Sequence, residues 1–376
     1  MACGLCVASA AAGSFSSLVV FGDSLSDVGN IAQATFDAYP GPYYFNDRFS
    51  NGPVWVEALS IELGLGTVQQ STAGGNDFAY GGAQTTGTGG FNGIFIRDVD
   101  EQVSQFLNTR TVDPAALFVV MAGANDLLGG QTSVNVPVGS LASSIGRLVA
   151  AGARQFLVPN LPLLGYTPRF NDNPTLSAQY NARSEQFNVA LDAALDGMAA
   201  GNLALTIHQL DVAGLIANAI AAPAAFGLAN VTDSAAPGLA PGAGSYNTSQ
   251  IVPHPNEYLF WDEIHPTATV HAVLAEQARM LLLGLPGDYN EDGVVDAADY
   301  TVWRDHLGAA AGTLPNDGDG GVIGPNQYET WKASFGLTSG NVASGGQSVP
   351  EPSTVVWMVL LPAVVVLRRG RRRRFA

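Results

Sequence analysis

Cysteine is almost absent from this chain of 376 residues, and its two cysteines, Cys3 and Cys6, both lie near the start. Their C-x-x-C spacing is compatible with a redox or metal pair. However, the segment is rich in alanine, and no second cysteine pair completes a zinc site. We therefore interpret residues 1–14 as the remnant of an export signal, and we expect no cysteine chemistry in the remainder.

This signal lacks two usual features. Ala8-Ser9-Ala10 resembles a small-residue cleavage site, but no Lys or Arg precedes it and the apolar run is short. Either the natural signal begins upstream of Met1 or the segment is not a signal, and we prefer the first interpretation.

Basic residues are scarce as well. The chain has 16 Lys and Arg against 32 Asp and Glu, a formal net charge of −16, and an arginine cluster at its C-terminal end accounts for many of the positive charges. The rest of the chain is therefore strongly acidic. Because phosphate contacts need Lys and Arg, this composition excludes a nucleic-acid partner. It is typical of an exported protein or of one that handles calcium.

Apolar runs bounded by turn residues predict four buried parallel strands. These runs are residues 18–21, 117–121, 156–158 and 203–207. Helical patterns alternate with them, among them 138–151 and 184–199. The alternation predicts an α/β fold, with an open parallel sheet and helices on both faces.

Two further segments complete this domain. Residues 221–257, rich in Ala, Gly, Pro and Asn, predict a long insertion or a lid over a site. A closing helix that ends near Gly284 is predicted after His265, because apolar residues recur there at helical spacing. The predicted face consists of Val270, Val273, Leu274, Gln277 and Leu281.

Polar residues with catalytic potential follow the first two strands. Ser24 follows the strand that ends at Phe21, at the sheet edge where open α/β folds bind their ligands. Asn125 follows the second strand within Gly123-Ala124-Asn125-Asp126, where its side-chain N–H can donate to an oxyanion. The structural alternatives are that Ser24 caps a following helix and that Asn125 opens a loop.

A third element is Asp262-Glu263-Ile264-His265. An Asp three residues before a His can accept from one imidazole nitrogen while the other nitrogen faces a serine. The G-x-S-x-G motif of serine hydrolases with a nucleophile elbow is missing from the chain. Any serine chemistry therefore belongs to another type of hydrolase.

The motifs, in this order, resemble the conserved blocks of the GDSL or SGNH hydrolase family. The resemblance covers about residues 15–284, and it rests on four blocks: Phe21–Asn30, Gly81-Gly82, Gly123–Asp126 and Asp262–His265. The stretch Arg48–Trp55 is similar to one found in bacterial lipase-like members. The resemblance implies a three-layer αβα sandwich of flavodoxin-like character that hydrolyses carboxylic esters, as esterases and lipases do, without a catalytic cofactor.

The resemblance also implies a role for each site residue. Ser24 is the nucleophile, His265 the general base and then acid, and Asp262 the residue that orients His265. The oxyanion hole is formed by the backbone N–H of Ser24, by Asn125 and by an N–H of the Gly81-Gly82 turn. Ala79 is an alternative for this last donor. The remaining histidines (His208, His254, His271 and His306) are expected to have no direct catalytic role.

Residues 285–337 predict a separate acidic module. Oxygen-bearing residues occur at the spacing of a calcium loop, with Gly293 at the sixth position. The predicted ligands are Asp288, Asn290, Asp292, Val294 through its carbonyl, Asp296 and Asp299. Asp in place of the usual final Glu, followed by Tyr and Trp, resembles a dockerin-type repeat. The alternative is an Asp- and Gly-rich linker that binds no metal.

A weaker copy of this unit follows 28 residues later. Gly293, Tyr300 and Trp303 recur as Gly321, Tyr328 and Trp331. The copy has Asn316, Gly318, Gly320 and Gln327 at the ligand positions, which are poor calcium ligands. The alternative is a loop shorter by one residue, in which Asp317 and Asp319 serve as ligands, so the sequence leaves calcium binding by the second loop open.

The C-terminal segments carry a different pattern. A Gly- and Ser-rich linker covers residues 338–348, and residues 349–376 resemble a PEP-CTERM sorting signal. This signal contains Pro350-Glu351-Pro352, an apolar run over 355–367 and the arginine cluster. The apolar run is short for a permanent membrane span. The resemblance implies an envelope or extracellular location with transient anchoring, and a plain tail anchor is the alternative.

The sequence thus predicts an exported serine ester hydrolase. Its expected partners are an ester substrate (a lipid, a short-chain ester or an acetylated polysaccharide), sorting machinery that acts on the tail, and a scaffold bound by the dockerin-like module. The competing hypothesis is an inactive SGNH domain that serves as a surface binding or adhesion module.

Overall fold

The computed structural model describes residues 15–87 and 92–338. The predicted export signal (1–14), nearly all of the linker and the sorting signal (349–376) lie outside these residues. Within the described part of the chain, no helix is both long and apolar enough to cross a membrane.

The centre of the fold is a four-stranded parallel sheet. Its strands are β1 (Leu18–Gly22), β2 (Leu117–Met121), β3 (Gln155–Pro159) and β4 (Thr206–Leu210), in the spatial order β1-β2-β3-β4. All of β1 and β2 is buried, as expected of strands covered on both faces. The predicted parallel sheet is confirmed.

Helices cover both faces of this sheet. They are α1 (Asn30–Ala34), α2 (Trp55–Glu62), α3 (Val99–Thr109), α4 (Ala124–Leu128), α5 (Asn135–Ala150), α6 (Pro168–Asn171), α7 (Pro174–Gly201), α8 (Val212–Ala221) and α9 (Ala268–Leu283). One face packs against α2, α8 and α9, and the other against α3, α5 and α7.

Alternation along the strands produces the two cores, because successive strand side chains point to opposite faces. Val20 and Val119 belong to the core under α2, α8 and α9, while Val19 and Phe118 belong to the opposite core. The predicted three-layer αβα sandwich is confirmed.

Two sequence-based boundaries were wrong. The fourth strand begins at Thr206 instead of Leu203, because Asn202 forms a turn in which its Oδ1 accepts from the Ala204 N–H, and Leu203 is 100% exposed. Helix α7 begins ten residues before the predicted start. Pro174 occupies its first turn, and the Asn173 side chain caps it by accepting from the N–H groups of Thr175 and Leu176.

The closing helix forms, but its buried face differs from the predicted one. Val270 and Leu274 are buried as expected, whereas Leu281 is 41% exposed. His271, Ala275 and Ala278 are buried instead. The buried face of α9 is therefore rotated from the predicted one and includes His271, which the apolar pattern did not contain.

Residues 221–257 are packed against the body of the domain. Strand β5 (Asn230–Ser234) pairs in parallel with β6 (Tyr258–Phe260), which leads to the Asp262–His265 segment. Ala235, Ala236 and Leu239 form a small core with Tyr44 and Trp261. No residue of 221–257 lines the cleft beside Ser24, so of the two predicted alternatives the segment fits an insertion and not a lid over that cleft.

Two short helices follow the sandwich, α10 (Ala297–Asp305) and α11 (Pro325–Ser334). Their core contains the aromatic residues of the 28-residue repeat, with Tyr300 and Trp303 packing on Tyr328. Tyr289 and Trp331 are buried in the same cluster, which also touches Met280 of α9. The aromatic residues of the two sequence copies therefore pack in one cluster.

Candidate active site

The candidate nucleophile lies in a tight turn directly after β1. The turn is closed by the N–H groups of Ser26 and Asp27, which both donate to the Asp23 carbonyl. Ser24 itself is 8% exposed. Helix α1 begins only at Asn30, so the alternative that Ser24 caps a following helix was wrong.

The Asp262–His265 loop is held in shape by its own carboxylate. Asp262 Oδ1 accepts from the N–H groups of Ile264 (2.9 Å) and His265 (2.7 Å). The Trp261 N–H donates to the His265 carbonyl across the same loop. These bonds fix the spacing between the carboxylate and the imidazole before α9 begins.

The three predicted catalytic side chains are brought together by the fold. His265 Nε2 lies 2.9 Å from Ser24 Oγ, and His265 Nδ1 lies 2.7 Å from Asp262 Oδ2. Asp262 and His265 are buried, with 1% and 4% exposure. The serine hydroxyl, imidazole and carboxylate therefore form a continuous chain of hydrogen bonds at the carboxyl edge of the sheet.

Tyr44 is a site residue that the sequence analysis missed. Its hydroxyl donates to Asp262 Oδ2 at 2.6 Å, the same oxygen that contacts His265 Nδ1. Burial and the neighbouring Asp262 charge raise the pKa of Tyr44, so the phenol stays protonated and donates. No motif pointed to Tyr44, because 218 residues separate it from its partner.

The pKa of Asp262 is set by opposing effects. Burial alone raises it, but the charge of His265 and hydrogen bonds from His265, Tyr44 and Ile264 outweigh burial and lower it. The carboxylate therefore remains ionised at neutral pH, as a group that orients and stabilises an imidazolium must.

Phe49 packs on the imidazole, with ring centroids 5.1 Å apart. It occupies the space beside Gly81, where a Cβ would lie 2.2 Å from Phe49 Cζ. Gly81 is therefore required for close packing of the ring that supports His265. Phe49 belongs to the Arg48–Trp55 stretch, whose similarity to lipase-like members does not by itself predict this contact.

Asp27 connects the nucleophile turn to the Gly81-Gly82 turn. Its Oδ2 accepts from the Gly81 N–H at 2.7 Å, and its two oxygens together accept from the N–H groups of Gly29, Asn30 and Ile31. Burial raises its pKa to about 6, against the lowering effect of these bonds. The carboxylate holds two loops whose relative position shapes the site.

The candidate oxyanion donors differ in availability. The N–H groups of Gly81 and Ala79 are already bound, to Asp27 Oδ2 and Asp77 Oδ1 respectively. The Gly82 N–H has no acceptor among the residues the structure describes, and neither has that of Ser24. Asn125 Nδ2 donates one hydrogen to the Ala83 carbonyl at 2.9 Å, which leaves its second hydrogen available.

A cleft opens beside these groups. Ser24, Asn125 and His265 lie in its wall together with Asp23, Thr167 and His271. The remaining wall is almost entirely apolar, and it includes Leu25, Leu128, Leu163, Leu215, Leu259 and Leu274. Such a surface is suited to an aliphatic group placed next to the reactive serine.

Gly293, at the sixth position of the predicted calcium loop, has a φ of 83°, a conformation that favours glycine. Burial raises the pKa of Asp299, backbone N–H bonds lower it, and the nearby Asp288 charge raises it further. Carboxylate oxygens such as those of Asp288 and Asp299 are ligands of the kind that Ca²⁺ prefers. However, no cluster of three or more His, Cys, Asp or Glu residues suited to a metal ion occurs within 15–87 and 92–338.

The second loop is closed differently. Gln327, which corresponds to Asp299, donates from Nε2 to Asp317 Oδ1 (3.2 Å) and to the Gly320 carbonyl (3.0 Å). Its Oε1 accepts from the Gly324 N–H. An amide donor thus occupies the acceptor oxygens that a cation would need.

A serine, a histidine and an aspartate in hydrogen-bonded succession on a parallel αβα sheet are typical of serine hydrolases. The sequence blocks around these residues identify the family of serine hydrolases. The chain belongs to the GDSL-like lipase/acylhydrolase family, whose model matches residues 18–278. This membership identifies an enzyme of the carboxylic ester hydrolase class.

Two curated relatives illustrate the family. The chain is 28% identical over 312 residues to the phosphatidylcholine-sterol acyltransferase of Aeromonas hydrophila, in an alignment that covers 71% of this chain and 90% of the relative. It is 31% identical over 325 residues to Esterase EstA of Pseudomonas aeruginosa. That alignment covers 73% of this chain but 48% of the esterase, so the chain spans about half of the latter's length.

Proposed function

We propose that the protein is a serine esterase that cleaves its substrate through an acyl-enzyme. The observation that carries the proposal is the hydrogen-bonded series Ser24 Oγ, His265 Nε2 and Nδ1, and Asp262 Oδ2, with separations of 2.9 and 2.7 Å. Ser24 attacks the ester carbonyl while His265 takes its proton. His265 then returns the proton to the leaving alcohol, and water releases the acid by the reverse sequence.

The negative charge of the tetrahedral intermediate needs donors that are already in place. We assign this role to the N–H groups of Ser24 and Gly82 and to Asn125 Nδ2. The assignment omits Gly81 and Ala79, since each of their N–H groups already has a carboxylate partner. Gly82 adopts a φ of 83°, which favours glycine and sets the direction of its N–H.

A fluorophosphonate ester tests the proposal directly. Ser24 Oγ should attack phosphorus with loss of fluoride, because His265 accepts the serine proton. Intact-mass spectrometry should detect one adduct per chain, and peptide mapping should place it on Ser24. The His265→Ala variant and heat-denatured protein should remain unlabelled. Absence of labelling in the folded wild type, or labelling at another serine, contradicts the proposal.

The apolar cleft supports an acyl chain longer than acetyl as the natural substrate group. A series of p-nitrophenyl esters from acetate to dodecanoate should therefore give kcat/KM values that rise with chain length over the first several carbons, by roughly fourfold per buried methylene. A maximum at acetate would favour acetylated carbohydrates instead. The competing hypothesis of an inactive binding domain predicts no turnover of any ester.

The hydrogen bond from Tyr44 to Asp262 predicts a change in pH dependence. Removing it leaves Asp262 Oδ2 with more charge to attract the imidazolium form of His265. The acidic limb of the kcat/KM profile should therefore move to higher pH in Tyr44→Phe, by about 0.5 to 1 pH unit. Tyr43→Phe is the control, because Tyr43 packs on Tyr246 and does not touch the carboxylate. An unmoved limb in Tyr44→Phe would show that the bond has no influence on the base.

We further propose that the acidic module binds one Ca²⁺, which Asp288, Asn290, Asp292, Val294, Asp296 and Asp299 would hold. Calorimetric titration of the whole chain should give a stoichiometry of one, because Gln327 already closes the second loop. Asp288→Asn should abolish binding, whereas Asp317→Asn in the second loop should not. Chelation should leave ester hydrolysis unchanged. Two ions per chain, or none, would contradict this proposal.

We also propose export to the envelope, transient anchoring through residues 349–376 and a scaffold partner for the acidic module. They rest on the sequence patterns alone. Each is compatible with an ester hydrolase that acts outside the cytoplasm.

A further inference from the structure

One histidine outside the triad lies in the cleft wall beside Ser24. His271 is on α9, is 1% exposed and lines the same cleft as Ser24 and His265. Six buried polar side-chain atoms in the described part of the chain lack a hydrogen-bond partner. Among them, His271 Nε2 is the atom that belongs to a residue of this cleft.

The position of the hydrogen on this imidazole follows from its other nitrogen. The Trp55 backbone N–H donates to His271 Nδ1 at 3.2 Å, so Nδ1 must carry a lone pair. Burial, and in second place the charge of His265, lowers the pKa of His271 to about 3, so the ring is neutral. A neutral imidazole that accepts through Nδ1 carries its hydrogen on Nε2. His271 therefore has a buried N–H donor that lacks an acceptor among the described residues.

Such a donor costs free energy unless a bound group satisfies it. The other polar side chains of the cleft wall are not unused donors of this kind. Thr167 Oγ1 donates to the Leu164 carbonyl, and Asn125 and Ser24 belong to the proposed reaction centre. Asp23 offers only acceptor oxygens when ionised. The Nε2–H of His271 is thus the donor in this wall that the proposed reaction leaves unused.

We propose that His271 determines specificity by donating its Nε2–H to an oxygen carried on the acyl chain. This inference rests on the proposed esterase function and narrows its substrate class. The preferred substrates are esters of hydroxy, oxo or ether-containing fatty acids, whose chain is otherwise aliphatic. A plain alkyl chain packs against the apolar wall but leaves the His271 donor unpaired. Sites with a buried donor of this kind discriminate strongly against a ligand that lacks the matching oxygen.

The test compares p-nitrophenyl hexanoate with esters of the same length that carry a hydroxyl or ether oxygen at each carbon from C3 to C6. At least one oxygenated ester should exceed the plain ester in kcat/KM by about tenfold or more. The ratio of kcat/KM for this oxygenated ester to kcat/KM for the plain ester should fall to near one in His271→Asn. Asn retains an acceptor oxygen for the Trp55 N–H and lacks the donor at the Nε2 position. Comparing ratios within one protein removes effects that are common to both substrates.

His208→Asn is the matched control, because His208 is a half-buried histidine on β4 that does not line the cleft, and it should keep the wild-type ratio. Should His271→Asn fail to fold, the wild type still decides the question. The ¹⁵N signal of His271 Nε2 should shift more with an oxygenated alkylboronic acid than with its plain analogue.

Equal rates for all hexanoate analogues, or a preference that survives in His271→Asn, would overturn the assignment of His271. Equal shifts of the Nε2 signal with the two boronic acids would overturn it as well. Failure of the wild type to hydrolyse any ester would instead refute the proposed function. The two failures are therefore distinguishable.

Discussion

Replacing Ser24 with alanine is expected to lower kcat for a soluble ester by roughly 10⁵- to 10⁶-fold and to leave the fold intact. The hydroxyl is the atom that His265 Nε2 contacts, at 2.9 Å, and the Ser24 backbone stays free to adopt the same turn. His265→Ala should cost about as much. The double variant should be scarcely worse than either single variant, because groups that act as a unit are not additive.

Steady-state assays at matched enzyme purity measure these losses, and far-ultraviolet circular dichroism with thermal melting checks the fold. Retention of more than a few per cent of the wild-type rate in folded Ser24→Ala would mean that another group is the nucleophile. Fully additive losses would mean that Ser24 and His265 act in separate steps.

The second large effect concerns Gly123, between β2 and α4. Its φ of 122° is unfavourable for any other residue, and a Cβ there would lie 2.5 Å from Cζ of the buried Phe187. Gly123→Ala must therefore shift either the turn or the aromatic ring. We expect a loss of about 2 to 5 kcal/mol in the free energy of unfolding. Activity should also fall, because the turn positions Asn125 two residues later.

Gly139→Ala is the matched control. Gly139 lies inside α5, and no atom of the residues that the structure describes lies within 4 Å of a Cβ placed there. This variant should match the wild type in activity and gain up to about 1 kcal/mol in stability, since alanine is favoured in helices. Denaturant unfolding measures the free energy of unfolding of both variants, and steady-state assays measure their activity. Equal stability of Gly123→Ala and the wild type would show that the backbone can relax at this turn without cost.

Local signals explain why much of the fold and the site was predictable. Continuous apolar runs predicted β1 and β2 within a residue, because strands buried on both faces need no polar positions. Ser24 and Asn125 each follow a strand end, and parallel strands bring such positions to one edge of the sheet. The Asp262–His265 pair is a local pattern that spans four residues. Each of these features depends on neighbours in the chain.

Other features depend on contacts that local pattern does not contain. The start of β4 was displaced by the turn at Asn202, whose side chain competes with the strand for a backbone N–H. The alternative that residues 221–257 form a lid rested on their composition, and composition does not show what a loop packs against. In the structure, these residues pack around Tyr44 and Trp261.

By itself, the sequence determined the family, the parallel αβα architecture and the identity of the three candidate catalytic side chains. Only the tertiary structure decided which N–H groups remain free for an oxyanion, which oxygen of Asp262 is shared with Tyr44, and that His271 lies in the cleft. The physical reason is distance along the chain. The bond between Tyr44 and Asp262 spans 218 residues, and that between Trp55 and His271 spans 216, so neither leaves a local pattern to be read.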